Sequence, residues 1–191
     1  VNIADINSEP TGNPMTKPIA DRKPIRETLA RDDRFDFTLI ELLFFAYRDF
    51  TSDPDDILSG YGFGRAHHRV LHFVNRMPGL TVAELLDVLK ITKQSLARVL
   101  KQLIDTGHVT QLQGPRDRRQ RELYPTERGR ALALALAAPQ SRRIRAALEE
   151  AGISDRSAIE RFLKAMVNPE LRAQIDNLPG NDNVPEREDP D

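Results

Sequence analysis

Apolar residues recur at helical spacing through most of the middle of the chain. In residues 36–51, 65–76, 81–90 and 92–106 they lie three and four positions apart, which is typical of helices with a buried face. The helix at 36–51 is apolar on nearly all sides, so it fits burial in a core or at a subunit interface. The glycine-containing run 59–64 predicts a loop.

Two of these helices carry clear boundary signals and lie close together in the sequence. Thr81 and Glu84 have the spacing of a capping box at the start of one helix, and Thr92 can cap the next. Gly107 is a typical residue for the end of that second helix. Two short helices joined by a tight turn, with a polar outer face on the second, predict a helix-turn-helix.

The spacing then changes from helical to alternating. Residues 108–113 and 121–125 alternate between apolar and polar positions, and the arginine-rich run 114–120 between them predicts a turn. The pattern indicates a two-stranded β-hairpin with a basic tip. Because proline has no N–H to donate to a strand ladder, we expect the second strand to end at Tyr124, before Pro125.

The following residues, to about residue 176, are again predicted to be helical. A long helix begins at Thr126, and Pro139 should kink or break it because proline removes a helical hydrogen bond. Ser154 is expected to cap a further helix. Pro169 should end that helix, with one or two more helical turns indicated beyond it.

The net charge hides a basic segment. Over 191 residues the formal charge is -1, which taken alone argues against a nucleic-acid partner. Residues 177–191 hold five acidic side chains against one arginine, whereas 92–130 hold nine basic side chains against four acidic ones. The helix pair and the hairpin are therefore basic, and the chain ends in an acidic segment.

The composition excludes several classes of protein. No apolar run approaches the roughly 18–20 residues of a membrane span, and no secretory signal is evident. The absence of cysteine excludes disulfide scaffolds, thiolate metal sites and thiol redox sensing, so we expect a cytoplasmic protein. Because no nucleophile elbow, phosphate-binding loop or metalloprotease helix is present, we expect neither an enzyme nor a bound cofactor.

The order of elements and three motifs resemble the DNA-binding core of the MarR family of bacterial transcription regulators. The resemblance is closest from Phe63 to Leu132. The motifs are the helix pair TVAELLDVLKITKQSLARVLKQLIDTGHV at 81–109, the wing signature Asp117-Arg118-Arg119, and TERG at 126–129. The resemblance implies a mainly α protein with a small β-hairpin wing: a winged helix-turn-helix with flanking N- and C-terminal dimerisation helices.

The predicted organisation combines this resemblance with the proline-rich, polar character of both ends. In chain order it is a flexible N-terminal arm at 1–34, an N-terminal dimerisation helix at 35–60, a winged helix-turn-helix DNA-binding region at 61–130, C-terminal dimerisation helices at 131–176 and an acidic flexible tail at 177–191.

Double-stranded DNA is the predicted partner. In a helix-turn-helix the second helix, here 92–106, enters the major groove, where Gln94 can pair with adenine and Arg98 with guanine or a phosphate. The wing 114–121 is expected to enter the minor groove, and the resemblance implies Arg119 as the inserted side chain. The candidate DNA-binding residues are Thr81, Thr92, Lys93, Gln94, Ser95, Arg98, Lys101, Arg116, Asp117, Arg118, Arg119 and Arg121.

The resemblance also implies a homodimer that binds a pseudo-palindromic site. The broad apolarity of 37–50 and the apolar seam of 159–167 support this independently. The candidate dimerisation residues are Phe37, Ile40, Phe44, Ile159, Phe162, Leu163 and Met166. A small effector, often an aromatic acid, is implied as well, in a pocket expected to be lined from 40–48 and 63–72.

Two alternatives remain open from the residues alone. His67, His68 and His72 cluster on one helix, and the last two are four residues apart, so one face could bind a metal ion or haem. No third ligand is evident, and packing is the commoner role of such histidines. A winged helix can also mediate protein contacts without binding DNA, although the basic wing and Gln94 argue against that function.

Overall fold

The computed structural model describes residues 35–114, 120–176 and 178. Within those residues the chain forms eight helices and three short strands. They are α1 (Phe37–Ser52), α2 (Asp55–Gly60), α3 (Arg65–Arg76), β1 (Leu80–Thr81), α4 (Val82–Leu89), α5 (Lys93–Asp105), β2 (Val109–Gln113), β3 (Arg121–Pro125), α6 (Glu127–Glu150), α7 (Arg156–Met166) and α8 (Pro169–Asp176). The predicted fold class, mainly α with a small β wing, is confirmed.

The chain divides into two compact units, residues 1–43 and 44–191, with the boundary inside α1. In the first unit the described residues are 35–43, where the Leu39 N–H donates to Asp36 Oδ1 (2.9 Å) and caps the start of α1. The second unit holds the other helices and the sheet. None of the helices in the described ranges is long and apolar enough to cross a membrane.

The core of the second unit lies between α3, the helix-turn-helix and α6. α3 packs against α4, α5, α6 and β3. Its contribution to the core is one face of three fully buried residues, Val70, Leu71 and Val74. Six further leucines are fully buried with them: Leu58, Leu85, Leu96, Leu103, Leu123 and Leu136. Burial of these faces stabilises the unit and holds the two helices of the helix-turn-helix against a rigid support.

The sheet has three strands rather than the two of the predicted hairpin. β1 pairs antiparallel with β3, with Leu80 opposite Leu123, and the strand order is β1-β3-β2. A strand of two residues is too short to produce an alternating pattern, so the sequence does not reveal it. The extra strand joins the entrance of the helix-turn-helix to the wing.

The expected end of the second wing strand at Tyr124 is wrong, because β3 extends to Pro125, opposite Val109. The Gly114 N–H donates to Gln120 O (3.0 Å) and the Thr126 N–H to His108 O (3.2 Å). Since hydrogen-bonded and non-hydrogen-bonded pairs alternate in an antiparallel ladder, Pro125 occupies a position that needs no N–H toward β2. The proline therefore fits the strand at no cost in ladder hydrogen bonds.

Four features of the helices also differ from the expectations. Residues 59 and 60, expected in a loop, end α2, which is too short to show periodicity. α6 continues through Pro139 without a break. Asp155 rather than Ser154 caps α7, since its side chain accepts the Ala158 N–H (3.2 Å). Pro169 begins α8, so the further turns indicated by the sequence form a helix of their own.

Contacts just after Pro139 explain why α6 persists there. Gln140 Nε2 donates to Phe50 O (3.0 Å). The Arg143 guanidinium makes two hydrogen bonds to Asp53, of 2.6 and 2.7 Å, and holds the pKa of that carboxyl below its usual range. These tertiary contacts fix the helix on the C-terminal side of the proline. They compensate for the backbone hydrogen bond that the proline cannot donate.

Candidate nucleic-acid interface

The recognition helix α5 has one buried and one exposed face. Its four buried residues are Leu96, Val99, Leu100 and Leu103, at the spacing predicted from the sequence. Lys93, Gln94 and Arg98 are all exposed. Core packing therefore fixes the rotation of α5 about its axis and directs this polar face to solvent.

The N-terminus of α5 is suited to an anion. The Thr92 side chain caps it, accepting the Ser95 N–H (3.2 Å) and donating to Ser95 Oγ (2.9 Å). No acidic residue lies in the first turn of α5. The first N–H groups of a helix have no partners within the helix, and its dipole favours negative charge there. A DNA phosphate is an anion of the right kind for this end.

The exposed polar side chains of α5 differ in whether they are already engaged. Lys93, Gln94 and Arg98 make no side-chain hydrogen bond or ion pair to any residue the structure describes. Lys101, in contrast, forms an i,i+4 ion pair with Asp105. An exposed pair of this kind contributes little to stability, so Lys101 can exchange Asp105 for a phosphate at low cost.

Thr81 acts as a helix cap. The predicted capping box is confirmed: the Thr81 N–H (2.8 Å) and its hydroxyl (2.6 Å) donate to Glu84 Oε2, and the Glu84 N–H donates to the Thr81 hydroxyl (3.3 Å). These hydrogen bonds hold the pKa of Glu84 below its usual range. Because both polar groups of Thr81 are engaged, a DNA contact there is less favoured than at α5.

Two hydrogen bonds and one backbone conformation hold the helix-turn-helix in place, and none of them was predicted from the sequence. Arg69 Nη2 on α3 donates to Leu89 O at the end of α4 (2.7 Å). Lys90 adopts a left-handed conformation (φ 49°), which makes the tight turn between the two helices. Gln102 on α5 hydrogen-bonds to His67 on α3 (2.9 Å). A long-range pair such as Gln102 with His67 has no signature in local sequence spacing.

The histidine cluster does not form a metal site in the described part of the chain, where no three His, Asp or Glu side chains group as metal ligands. His67 Nδ1 accepts the Gly64 N–H (3.1 Å), so Nε2 carries the proton and donates to Gln102. The His67 ring also stacks on Phe63, with 4.7 Å between centroids. His72 instead contacts the Phe73 ring at its edge. His67 thus caps α3 and connects it to α5.

The structure describes both strands of the wing, up to residue 114 on one side and from residue 120 on the other. Gln113 and Arg121 are the last paired residues, and Arg121 is exposed. Four candidate residues lie outside the described residues: Arg116, Asp117, Arg118 and Arg119. Arg121 is therefore the candidate wing contact whose position can be stated.

Close packing joins the base of the wing to α6. A Cβ at Gly129 would lie 1.9 Å from His108 O, so only glycine fits in this turn. The His108 ring is fully buried between Tyr61 and Phe63, and its Nδ1 lies 2.9 Å from Thr106 Oγ1. Its Nε2 has no hydrogen-bond partner among the described residues. Burial lowers the pKa of His108, because a protonated ring would be left unsolvated.

This burial predicts a loss of stability in weak acid. Burial lowers the pKa of His68 as well as that of His108, so the unfolded chain takes up protons near pH 6.5 before the folded one. The free energy of unfolding should be constant above about pH 7.5 and fall below pH 6.5, by at most about 1.4 kcal/mol per pH unit for each histidine. Urea denaturation between pH 8 and pH 5.5 measures this fall, and His108→Gln should reduce it. A free energy of unfolding that rises toward pH 5.5 would contradict the argument.

Large apolar side chains are exposed on α1 and on α7. In the first unit Ile40 is exposed, together with Leu39, Leu42 and Leu43, and Phe37 is half-buried. In the second unit the exposed residues include Phe44 (70% exposed), Phe45, Tyr47, Phe162, Leu163 and Met166, and Ile159 is half-buried. Neither α1 nor α7 has a fully buried residue. Exposed apolar side chains in this number are typical of an interaction surface.

Comparisons with known proteins agree with this geometry. The sequence model of the MarR family matches residues 61–120. The HTH-type transcriptional regulator PetP of Rhodobacter capsulatus is 51% identical over 139 residues, which cover 73% of this chain and 84% of PetP. The recognition helix α5 and the first wing strand β2 lie inside the range that the family model matches, which ends just before β3.

Solved structures share the fold. A MarR protein from Peptoclostridium difficile aligns with a TM-score of 0.61 and 18% identity, over 80% of this chain and 97% of that one. A MarR variant from E. coli, complexed with operator DNA, aligns with a TM-score of 0.54 and 23% identity, over 69% and 94%. With the extensive identity to PetP, these findings establish that the chain belongs to the MarR family of helix-turn-helix transcription regulators, which are not enzymes.

Proposed function

We propose that the protein regulates transcription by binding double-stranded DNA as a homodimer. The observation that carries the proposal is the exposed face of α5, where Lys93, Gln94 and Arg98 project without partners among the described residues from a helix fixed by its buried side. A helix with this face and this support is what major-groove recognition requires. The E. coli MarR variant, which shares this fold, was solved in complex with operator DNA, and this supports DNA binding as the function of the fold.

Two kinds of contact are proposed for α5. Gln94 can donate to N7 and accept from N6 of adenine, and Arg98 can donate to O6 and N7 of guanine, so both can discriminate between base pairs. Lys93 and the free N–H groups at the start of α5 are suited to a phosphate, which sets the register but carries no sequence information. Ser95, which already accepts a hydrogen bond from Thr92, keeps its hydroxyl proton for a further contact.

The wing is proposed to contact the minor groove. Arg119 would insert there and Asp117 would orient the wing, as the family resemblance implies, while Arg116, Arg118 and Arg121 would interact with phosphates. Support comes from the rigid base of the hairpin, since β3 pairs on both sides and Leu123 is fully buried. The two strands therefore give the wing a firmly packed base.

The proposed dimer uses the exposed apolar side chains of α1 and α7. A two-fold interface uses the same surface of both subunits. Each exposed aromatic residue of this surface is therefore buried in both copies when the dimer forms. The symmetry would then match a pseudo-palindromic operator with half-sites about one helical turn apart. As a regulator of transcription the protein would act in the cytoplasm.

The proposal is tested by titrating the purified protein with DNA from upstream of its own gene. We expect specific binding, measured by fluorescence anisotropy, that weakens steeply with salt, since several phosphates are neutralised. Arg119→Ala should weaken binding to many sequences and reduce the slope of log affinity against log salt by roughly one unit. Arg187→Ala, which removes the same charge from the acidic C-terminal segment, is the matched control and should leave the slope unchanged.

Two results would contradict the proposal. Salt-independent or absent binding to every DNA offered would favour a winged helix that contacts only proteins. An unchanged slope for Arg119→Ala, with binding otherwise intact, would reject the wing contact alone.

A further inference from the structure

A cavity of about 380 Å³ lies between the helix-turn-helix body and the C-terminal helix α8. One wall consists of Phe73 and Met77 at the end of α3 and Val88 on α4, and the opposite wall includes Val167 and Leu171. Pockets that bind small organic molecules are commonly of this size and mainly apolar. The cavity is much larger than a single water molecule requires, and an apolar molecule inside it would lose part of its contact with solvent.

The charged groups that line the cavity are both carboxylates. Glu84 and Asp87 lie three residues apart on α4 and so project from neighbouring positions on one face. Hydrogen bonds from Thr81 keep the pKa of Glu84 low, and these bonds use only its Oε2. Asp87 is exposed and makes no hydrogen bond or ion pair to a residue in the described part of the chain. Two negative groups at the edge of an apolar space attract a cation and repel an anion.

We propose that this cavity binds a small amphiphilic cation, a compact aromatic or aliphatic molecule that carries one ammonium group. The apolar part packs between Phe73, Val88 and Leu171, and the ammonium group lies at Asp87 and Glu84. The charge is opposite to that of the aromatic acids implied by the family resemblance. The position also differs from the expected pocket lined from 40–48 and 63–72, because the cavity is lined by residues between 73 and 88 and between 167 and 178.

The cavity lies beside the turn that leads into the recognition helix α5. Asp87 and Val88 lie in the last turn of α4, just before the left-handed Lys90 that begins the turn to α5. The capping box of Thr81 and Glu84 lies at the other end of the same helix. Binding of the cation is nevertheless a property of the cavity alone, and its test needs no DNA. Failure of the proposed DNA binding would leave this inference standing, and the reverse also holds.

Three probes with the same apolar body and different head groups test the proposal: 4-phenylbutylamine, 4-phenylbutanol and 4-phenylbutyrate. We expect the amine to bind the full-length protein about five times more tightly than the alcohol and about ten times more tightly than the acid at low salt, with a difference that shrinks as salt is added. The chain has only three methionines, and Met77 lines the cavity. The ¹³C-methyl resonance of Met77 should therefore shift during the titration and report both the affinity and the location.

Variants separate the charge from the apolar space. Asp87→Asn should reduce the advantage of the amine over the alcohol about threefold and leave the affinity of the alcohol unchanged. Asp56→Asn, at an exposed position on α2, is the matched control and should change neither. Leu171→Phe or Val167→Phe should fill the cavity and weaken the binding of all three probes. The variant used is the one that circular dichroism shows to be folded. Equal binding of the three probes, tighter binding of the acid, or no binding by any of them would overturn the proposal.

Discussion

Replacing Gln94 with alanine is expected to lower the affinity of the protein for its operator by about 1–3 kcal/mol in each half-site. Gln94 is exposed on the first turn of α5 and makes no side-chain hydrogen bond to a described residue, so it is available to adenine. A dimer carries the substitution twice, and the two losses add over a palindromic site. Competition anisotropy with operators changed at one base pair at a time should locate a single A·T position whose preference disappears.

Arg98 provides the comparison that separates base contacts from phosphate contacts. Arg98→Lys retains the positive charge but cannot form a bidentate pair with guanine. If Arg98 pairs with guanine, the lysine variant should lose discrimination at one G·C position, while the salt slope stays near its original value. Equal affinity of Gln94→Ala and the unchanged protein for every operator variant would show that α5 does not discriminate bases through this residue.

The helix-turn-helix is the part of the fold that the sequence predicted best. Its boundaries are set by local interactions, namely the caps at Thr81 and Thr92 and the apolar spacing of Leu96, Val99 and Leu103. Because each of these interactions joins residues within a few positions of one another, a single sequence carries the information. The exposure of Gln94 and Arg98 follows from the same spacing, as the face opposite the buried one.

The features that the sequence did not predict depend on distant residues. β1 exists because Leu80 meets Leu123, more than forty residues later in the chain. The continuity of α6 through Pro139 depends on Gln140 and Arg143 reaching Phe50 and Asp53. Likewise, His67 appeared as a candidate metal ligand because its partner Gln102 cannot be identified from spacing. Local rules define the elements, whereas tertiary contacts determine how they are joined.

The distribution of charge along the chain explains why the overall charge of -1 is a poor guide to DNA binding. The acidic side chains at 177–191 offset the basic segment 92–130, which contains α5 and the wing sequence. Asp105 engages Lys101 in an exposed ion pair, but Lys93 and Arg98 have no acidic partner among the described residues. The electrostatic attraction to DNA depends on this local distribution rather than on the sum over the chain.

Replacing Phe44 with aspartate is expected to convert the proposed dimer into a monomer and to weaken operator binding by about a hundredfold or more. Phe44 is 70% exposed in the single chain, so the substitution should leave the fold of the monomer intact. In a two-fold dimer it would bury two unpaired carboxylates in an apolar interface, at a cost of several kcal/mol. The monomer would then occupy one half-site at a time and lose the gain in effective concentration.

Sedimentation equilibrium measures the mass, and circular dichroism checks that the variant is folded. Phe44→Leu, which keeps an apolar side chain at this position, is the matched control and should remain dimeric. Phe162→Asp applies the same test to α7, where Phe162 is 49% exposed. If both aspartate variants retain the mass of a dimer, the subunit interface lies elsewhere. If only Phe162→Asp dissociates it, α7 rather than α1 supplies the apolar contact, because a buried carboxylate disrupts only the interface that encloses it.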